Sequence, residues 1–278
     1  MSAPPRGPDE KITVCIICGN EEENIERCLK SVTWADEVLV VDSFSRDRTP
    51  EIARRYTPNV IQHEWLGYIG QKKFIADLAE GPWILFVDAD EEISPALRQE
   101  IEELFSRPLP PSIHGFECPR LVPYLGRWIR HGDWYPDTKL RLFKKAFGEC
   151  GGKEPHDRVY VTGEVRRLRG ELFHYTYTDI EDQLATINRF STISARTNDA
   201  EGRTVSMFDL VFRPFFRFLR GYLLKLGFLD GVPGLIVARN VAFGTFAKYA
   251  KLWELQNVKR HASGDPGHGA ASRGARKE

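Results

Sequence analysis

Surplus charge is missing from this chain. Its 278 residues hold 39 Lys and Arg against 39 Asp and Glu, which excludes a nucleic-acid binder working by bulk attraction. No run of about 18 uncharged apolar residues occurs, which excludes a polytopic membrane protein. Cysteine is scarce and odd in number, at five. The C-x-x-C pair Cys15 and Cys18 lies inside Ile12-Thr-Val-Cys-Ile-Ile-Cys18. That run reads as a buried strand, where cysteine serves as a small hydrophobe. No second Cys or His pair completes a zinc site. Met1–Glu10 is polar and Pro-rich with no apolar run, so a reduced, cytosolic protein is expected. The first strand is not followed by G-x-G-x-x-G, which disfavours a dinucleotide dehydrogenase. Composition also excludes collagen and wholesale disorder, and no internal repeat is visible.

What is present is an alternation. Ile12–Cys18, Glu37–Asp42, Val60–His63 and Trp83–Val87 read as strands. Between them, Glu21–Ser31, Thr49–Tyr56, Gln71–Glu80 and the stretch from Ser94-Pro95 to Phe105 carry helical spacing or helix-start signals. Strands alternating with helices predict a parallel sheet covered on both faces. After the Pro-rich link Arg107–Pro111 the texture changes. His114–Arg120, Lys139–Phe143, Arg158–Val161 and Glu171–Tyr175 read as short strands, suiting an antiparallel extension of that sheet, and Thr178–Ala200 reads as a helix.

Ligands of open α/β sheets bind beyond the carboxyl ends of the parallel strands. Asn20-Glu21, Asp42 and the pair Asp88/Asp90 fall at such ends. Acids gathered on one edge repel each other unless a cation or donor groups relieve them. Two carboxylates at i and i+2 can both reach one hard cation, and Mg²⁺ favours one or two carboxylates plus phosphate oxygens and water. A carboxylate at Asp42 can accept the imide N–H of uracil. Asp47 reads as structural. Lys72 and Lys73 read as an exposed helix face, and His63, His114 and His131 as ordinary structural histidines.

Several motifs in order resemble one family. Ile16-Ile-Cys-Gly-Asn-Glu-Glu22, Val40-Val-Asp-Ser-Phe-Ser-Arg-Asp-Arg-Thr49 and Phe86-Val-Asp-Ala-Asp-Glu91 are similar to the nucleotide-binding half of family-2 glycosyltransferases with the GT-A fold. Trp65–Ala76, Gly126–Asp137 and Lys139–Phe143 resemble the lipopolysaccharide-core β-1,4-glucosyltransferase branch. The chain departs from the family pattern at Cys18-Gly19, at Phe44 where glycine is usual, and at Lys73 where asparagine is usual. The resemblance implies an α/β GT-A fold, with a Rossmann-like nucleotide half and a mixed sheet. It implies an inverting transferase that moves a hexose, glucose by expectation, from a UDP-sugar with Mg²⁺ or Mn²⁺. Asn20, Glu21 and Asp42 would hold uridine, Lys72 would lie near the diphosphate, and Asp88 would serve the ribose. Asp90 and His174 would serve the metal. Gly132 and Trp134, in His131-Gly-Asp-Trp134, would pack against donor sugar and acceptor. Asp157, in Glu154-Pro-His-Asp157, sits where the family has its catalytic base, with Glu154, Asp133 and Asp137 as competitors. The rival readings are a catalytically inactive membrane-associated adaptor that keeps the sheet, and a sugar-phosphate nucleotidyltransferase.

Charge is uneven along the chain. Residues 1–202 carry 26 basic and 34 acidic side chains, whereas 203–260 carry 10 and 3. Phe208–Gly227 and Leu235–Leu255 are amphipathic, aromatic-rich and basic, which reads as a membrane-surface element attracted to anionic lipid, with Pro214 starting or kinking the first helix. The expected organisation is a disordered N-terminus 1–10 and a GT-A domain 11–202, split into a nucleotide half 11–106 and an acceptor half 107–202. A basic docking segment 203–260 and a disordered tail 261–278 follow. The expected partners are a UDP-sugar, a lipid-linked saccharide acceptor and the inner face of the cell membrane, with no nucleic acid.

Overall fold

The computed structural model describes residues 10–153 and 156–259. Residues 1–9 and 261–278, expected to be disordered, and the candidate base Glu154 lie outside the described residues. The strands, in chain order, are β1 (Ile12–Cys18), β2 (Glu37–Asp42), β3 (Val60–Gln62), β4 (Trp83–Phe86), β5 (Glu91–Ile93) and β6 (Ile113–Tyr124). They continue with β7 (Arg127–Ile129), β8 (Asp137–Lys144), β9 (Gly148–Lys153), β10 (His156–Val161), β11 (Glu164–Arg167) and β12 (Leu172–His174). The helices are α1 (Ile25–Val32), α2 (Thr49–Ala53), α3 (Gly67–Leu78), α4 (Pro95–Leu104), α5 (Ile180–Ala200), α6 (Met207–Leu219) and α7 (Gly231–Glu254).

The main sheet runs β3-β2-β1-β4-β8-β6-β12-β5. Its first four strands are parallel, and β8 enters antiparallel to both β4 and β6. All seven residues of β1 are buried, as an apolar run requires when helices cover both faces of a central parallel strand. α1 supplies one cover through Ile25, Cys28, Leu29 and Val32, the i, i+3, i+4, i+7 stripe of an amphipathic helix. The antiparallel pair β12/β5 aligns His174 with Glu91, so the sheet itself carries a C-terminal histidine to the Asp88–Asp90 turn. β9 and β10 form a separate two-stranded ribbon.

The chain divides into two compact units. One takes the residues up to Arg130 with Trp134–Thr176, and the other takes His131–Asp133 and the residues from Tyr177. The division thus falls before α5 rather than at the expected 202/203 boundary. The physical reason is that α5 packs on α7: Lys251 Nζ donates to the Asn188 carbonyl and side chain and to Ser191 and Thr192, at 2.6–2.8 Å. Ala195, Tyr249 and Leu252 form a small core between the two helices.

Three local readings change. α3 begins at Gly67, four residues before the expected start. Thr49 does not cap α2; its hydroxyl accepts from Glu21 N–H at 2.7 Å and donates to Asp47 at 2.6 Å, tying two loops together. Pro214 lies inside α6, whose start is set by a capping box between Ser206 and Asp209. A π-helical turn, Arg220–Leu224, follows α6.

Candidate active site

The carboxyl ends of β1, β2 and β4 carry Asn20-Glu21, Asp42 and Asp88. The loops after β1 and β2 are zipped together: Asn20 N–H donates to Ser45 Oγ at 2.8 Å and Arg46 N–H to Asn20 Oδ1 at 2.9 Å. Asn20 and Phe44 both adopt positive φ, at 58° and 54°. Asn tolerates this region; Phe does so at a steric cost, and its ring is 58% exposed. Asp42 is wholly buried. Its carboxylate accepts from Ser45 Oγ, from Ser45 N–H at 3.1 Å and from Gln62 Nε2 at 3.2 Å.

Lys72 turns inward from α3 while Lys73 faces solvent. The Lys72 ammonium stands between Asp88 Oδ1 at 2.9 Å and Asp157 Oδ2 at 2.8 Å. The second Asp88 oxygen takes Arg141 at 2.6 Å, and Arg141 also meets Glu91 at 2.5 Å. Arg120 extends the chain of charges from Glu91, at 3.3 Å, to Asp137, at 2.9 Å through Nε. Three buried or half-buried cations therefore face four carboxylates. Burial alone would raise the Asp88 carboxyl, but the Arg141 guanidinium and then the Lys72 ammonium outweigh it and hold Asp88 well below the usual carboxylate range. Asp137 is lowered in the same way by Arg120 against its burial.

Asp90 stands apart from this ladder. His174 Nε2 lies 3.1 Å from Asp90 Oδ2, and Thr176 Oγ1 lies 2.8 Å from His174 Nδ1, orienting the ring. The Asp90 carbonyl accepts from Tyr175 N–H at 2.9 Å, which pins the turn to β12. Burial pushes the Glu21 carboxyl up; the Asn24 hydrogen bond opposes this, and the negative charges of Asp90, Asp47 and Asp88 add to it. Among the described residues no group of three His, Cys, Asp or Glu gathers as a complete metal cage. A carboxylate and an imidazole side by side fit a divalent cation whose other ligands are diphosphate oxygens and water.

The structure therefore brings together Glu21, Lys72, Asp88, Asp90, Asp157 and His174 on one rim, with Asp42 at the end of β2 and Asn20 on the loop after β1 beside them. Trp134 packs edge-on against Tyr124 at 5.2 Å. Gly132 belongs to the helical unit, where its N–H donates to the Lys225 carbonyl at 2.9 Å with φ at 82°, a packing role. Asp133 pairs with cations of that same unit, and Asp137 is taken by Arg120. Sequence reasoning missed Arg141 and Glu91. The available signal was a lone arginine in the apolar run Leu140-Arg-Leu-Phe143, because a buried arginine demands carboxylate partners. His63 stacks on Phe74 and His114 on Phe147, as structural histidines do. A cavity of about 590 Å³ opens at the other ends of the parallel strands, beside Lys11, Thr13 and Glu37. That is the rim where α/β sheets do not bind ligands.

Comparisons with known proteins give the family and the fold. Residues 13–153 match the family Glycosyl transferase family 2. An uncharacterised glycosyltransferase of Rickettsia typhi is 33% identical over 91% of this chain and 90% of its own. The lipopolysaccharide core biosynthesis glycosyltransferase LpsC of Rhizobium meliloti is 28% identical over 93% and 97%. Among solved structures, a mannosyltransferase from Pyrobaculum calidifontis in complex with GDP-Man and Mn²⁺ matches 91% of this chain and 92% of its own, with a TM-score of 0.53 at 16% identity. The fold is that of the GT-A glycosyltransferases.

Proposed function

The chain is a glycosyltransferase of glycosyl transferase family 2, and on that premise we propose that it moves a hexose, glucose in the first instance, from a UDP-sugar to a lipid-linked saccharide of the cell envelope, with inversion. The observation that carries this reading is the pairing of Asp90 with His174 at 3.1 Å beside Lys72 and Asp88. Family membership sets aside the inactive adaptor and the nucleotidyltransferase.

Each residue has a stated task in this reading. Asp42 and the Asn20/Ser45 loop pair receive the base, with Glu21 beside them. Asp90 and His174 would hold Mg²⁺ or Mn²⁺, which when bound would supply Lewis-acid neutralisation of the diphosphate. Lys72 adds a buried positive charge at the same place. Asp157 takes the proton from the acceptor hydroxyl as its oxygen attacks C1, the C1–O bond to UDP breaks, and an α-linked donor gives a β-linked product. Lys72 positions the Asp157 carboxylate through the 2.8 Å ion pair.

Membrane docking is part of the proposal. No single described helix is long and apolar enough to cross a membrane; Met207–Leu224 and Gly227–Val258 pass that test only together and are bent by 71°. Leu224 is 80% exposed and Phe215 and Phe216 more than half exposed, beside a surplus of cations. That pattern supports lying on an anionic surface rather than spanning it. It would bring the enzyme to a lipid-linked acceptor, and the LpsC likeness supports an acceptor of the lipopolysaccharide-core kind.

The test is a UDP-release assay over donor sugars and lipid-linked acceptors. Turnover of UDP-glucose is expected with Mn²⁺ and not with EDTA. Asp157→Asn is expected to lower turnover by about 10²-fold or more. Release of GDP instead of UDP would overturn the donor, and full turnover by Asp157→Asn would place the base elsewhere.

A further inference from the structure

Within the helical unit one carboxylate is outnumbered. Asp133, with its side chain 5% exposed, is approached by Arg217 Nε at 3.1 Å, Lys225 Nζ at 3.1 Å and Arg220 Nη1 at 3.7 Å. Gly221 makes room for this carboxylate: a Cβ there would sit 3.1 Å from Asp133 Oδ2. Both Asp133 oxygens are buried, yet none of the three cations meets them with hydrogen-bond geometry. The attraction is that of charge, so the directed N–H groups of two guanidiniums and an ammonium are not used there. Three like charges held this close repel each other, and one carboxylate leaves two positive charges in excess. The three cations are 40%, 48% and 37% exposed, so an anion can reach them from solvent.

We propose that Arg217, Arg220 and Lys225, set on Asp133, form a binding site for the phosphate of a lipid headgroup. Arginine pairs match phosphate oxygens bidentately, and lysine adds a point charge. Two features assign the phosphate to a lipid rather than to a soluble molecule. Leu223 and Leu224, 49% and 80% exposed, sit on the same turn as Arg220 and next to Lys225. α6, which carries Arg217, also lines an apolar groove of about 510 Å³ through Pro214, Phe215 and Phe218, facing Phe243 and Phe246 of α7. The inference deepens the membrane reading above and rests on it for the presence of lipid. It adds a defined headgroup site to what would otherwise be diffuse attraction.

The experiment measures binding of the full chain to phosphatidylcholine vesicles carrying phosphatidic acid, a phosphomonoester, or phosphatidylglycerol, a phosphodiester, at matched surface charge. The wild type is expected to bind the phosphatidic acid vesicles about tenfold tighter. The triple variant Arg217→Gln, Arg220→Gln, Lys225→Gln is expected to lose that preference and keep the weaker binding common to both vesicles. The control triple Arg189→Gln, Arg196→Gln, Lys248→Gln removes equal charge from the same unit, away from both the cluster and the groove, and is expected to keep the preference. Lys225→Gln alone, which leaves both arginines on Asp133, is expected to lower the preference about threefold and serves if the triple variant misfolds. An equal loss in both triples, a preference untouched by either cluster variant, or displacement by millimolar inorganic phosphate from both vesicles alike would overturn the site. Failure of the wild type to bind either vesicle would overturn the membrane reading and the site with it.

Discussion

Burial pushes the Glu21 carboxyl above its ordinary value of 4.5, and the acids around it add to the effect. A raised acid is a stability cost that is full above the folded pKa and vanishes below the ordinary one. Glu21→Gln is therefore expected to raise the Tm at pH 7–8, with the gain fading as pH falls toward 4, while UDP binding weakens; a differential-scanning melt over pH checks this. A Tm unchanged at every pH would contradict the buried-charge account of Glu21. Arg141 is the opposite case. It is buried, and its positive form is favoured by Asp88 and Glu91 against that burial. Arg141→Met leaves two carboxylates without their main partner and is expected to cost about 3 kcal/mol in urea unfolding. Phe44→Gly relieves a left-handed residue and is expected to add about 1 kcal/mol of stability, with a raised KM for the donor if the exposed ring contacts it. At this scale the sequence disclosed the acids at strand ends, because position after a strand is a local signal. It did not disclose which acids are engaged. The partners of Asp88 come from α3 and β8, 16 and 53 residues away in the chain, and nothing local reports them.

The elements that were legible are those with a burial pattern of their own. β1, β2, β4 and α1 show it in continuous apolar runs or an i, i+3, i+4 stripe. β5, β7, β9 and β11 were not legible: they are short, and Glu91-Glu-Ile93 or Glu164-Val-Arg-Arg167 has no strand-like composition. They exist because neighbouring strands offer hydrogen-bonding edges. α6 was legible as amphipathic, but its start was not, since the Ser206–Asp209 box is a spacing of two common residues. Ser206→Ala removes that cap and is expected to cost about 1 kcal/mol, read in the helical signal on unfolding. The bend after α6 depends on close backbone contact. A Cβ at Gly234 would run into the Gly227 carbonyl, so Gly234→Ala is expected to lower Tm by several degrees, and an unchanged melt would contradict the packing described.

Across the whole chain, the two compact units differ in kind. The sheet unit is organised around an extensive buried core that includes Trp83, Phe86 and Phe116. The helical unit buries little, and its α6 and α7 present large apolar side chains to solvent. An apolar surface of that extent beside one-signed charge marks an interaction site, and binding to anionic vesicles is expected to fall as salt rises, because exposed charges are screened over about 8–10 Å near physiological ionic strength. The charge asymmetry along the sequence suggested a boundary at 202/203, whereas the compact units divide before α5. Heptad or strand periodicity cannot reveal that α5 pairs with α7, a contact made through Lys251 and Asn188 across 63 residues.

The acids at the carboxyl rim are expected to bind a uridine nucleotide together with a divalent ion at Asp90 and His174. Titration calorimetry of UDP into the protein with Mn²⁺ tests it most directly. Micromolar binding is expected, weakened at least about tenfold by EDTA and by Asp90→Ala, and unaffected by changes at Arg239 in the helical unit. Equal UDP affinity in wild type and Asp90→Ala, with and without Mn²⁺, would contradict it.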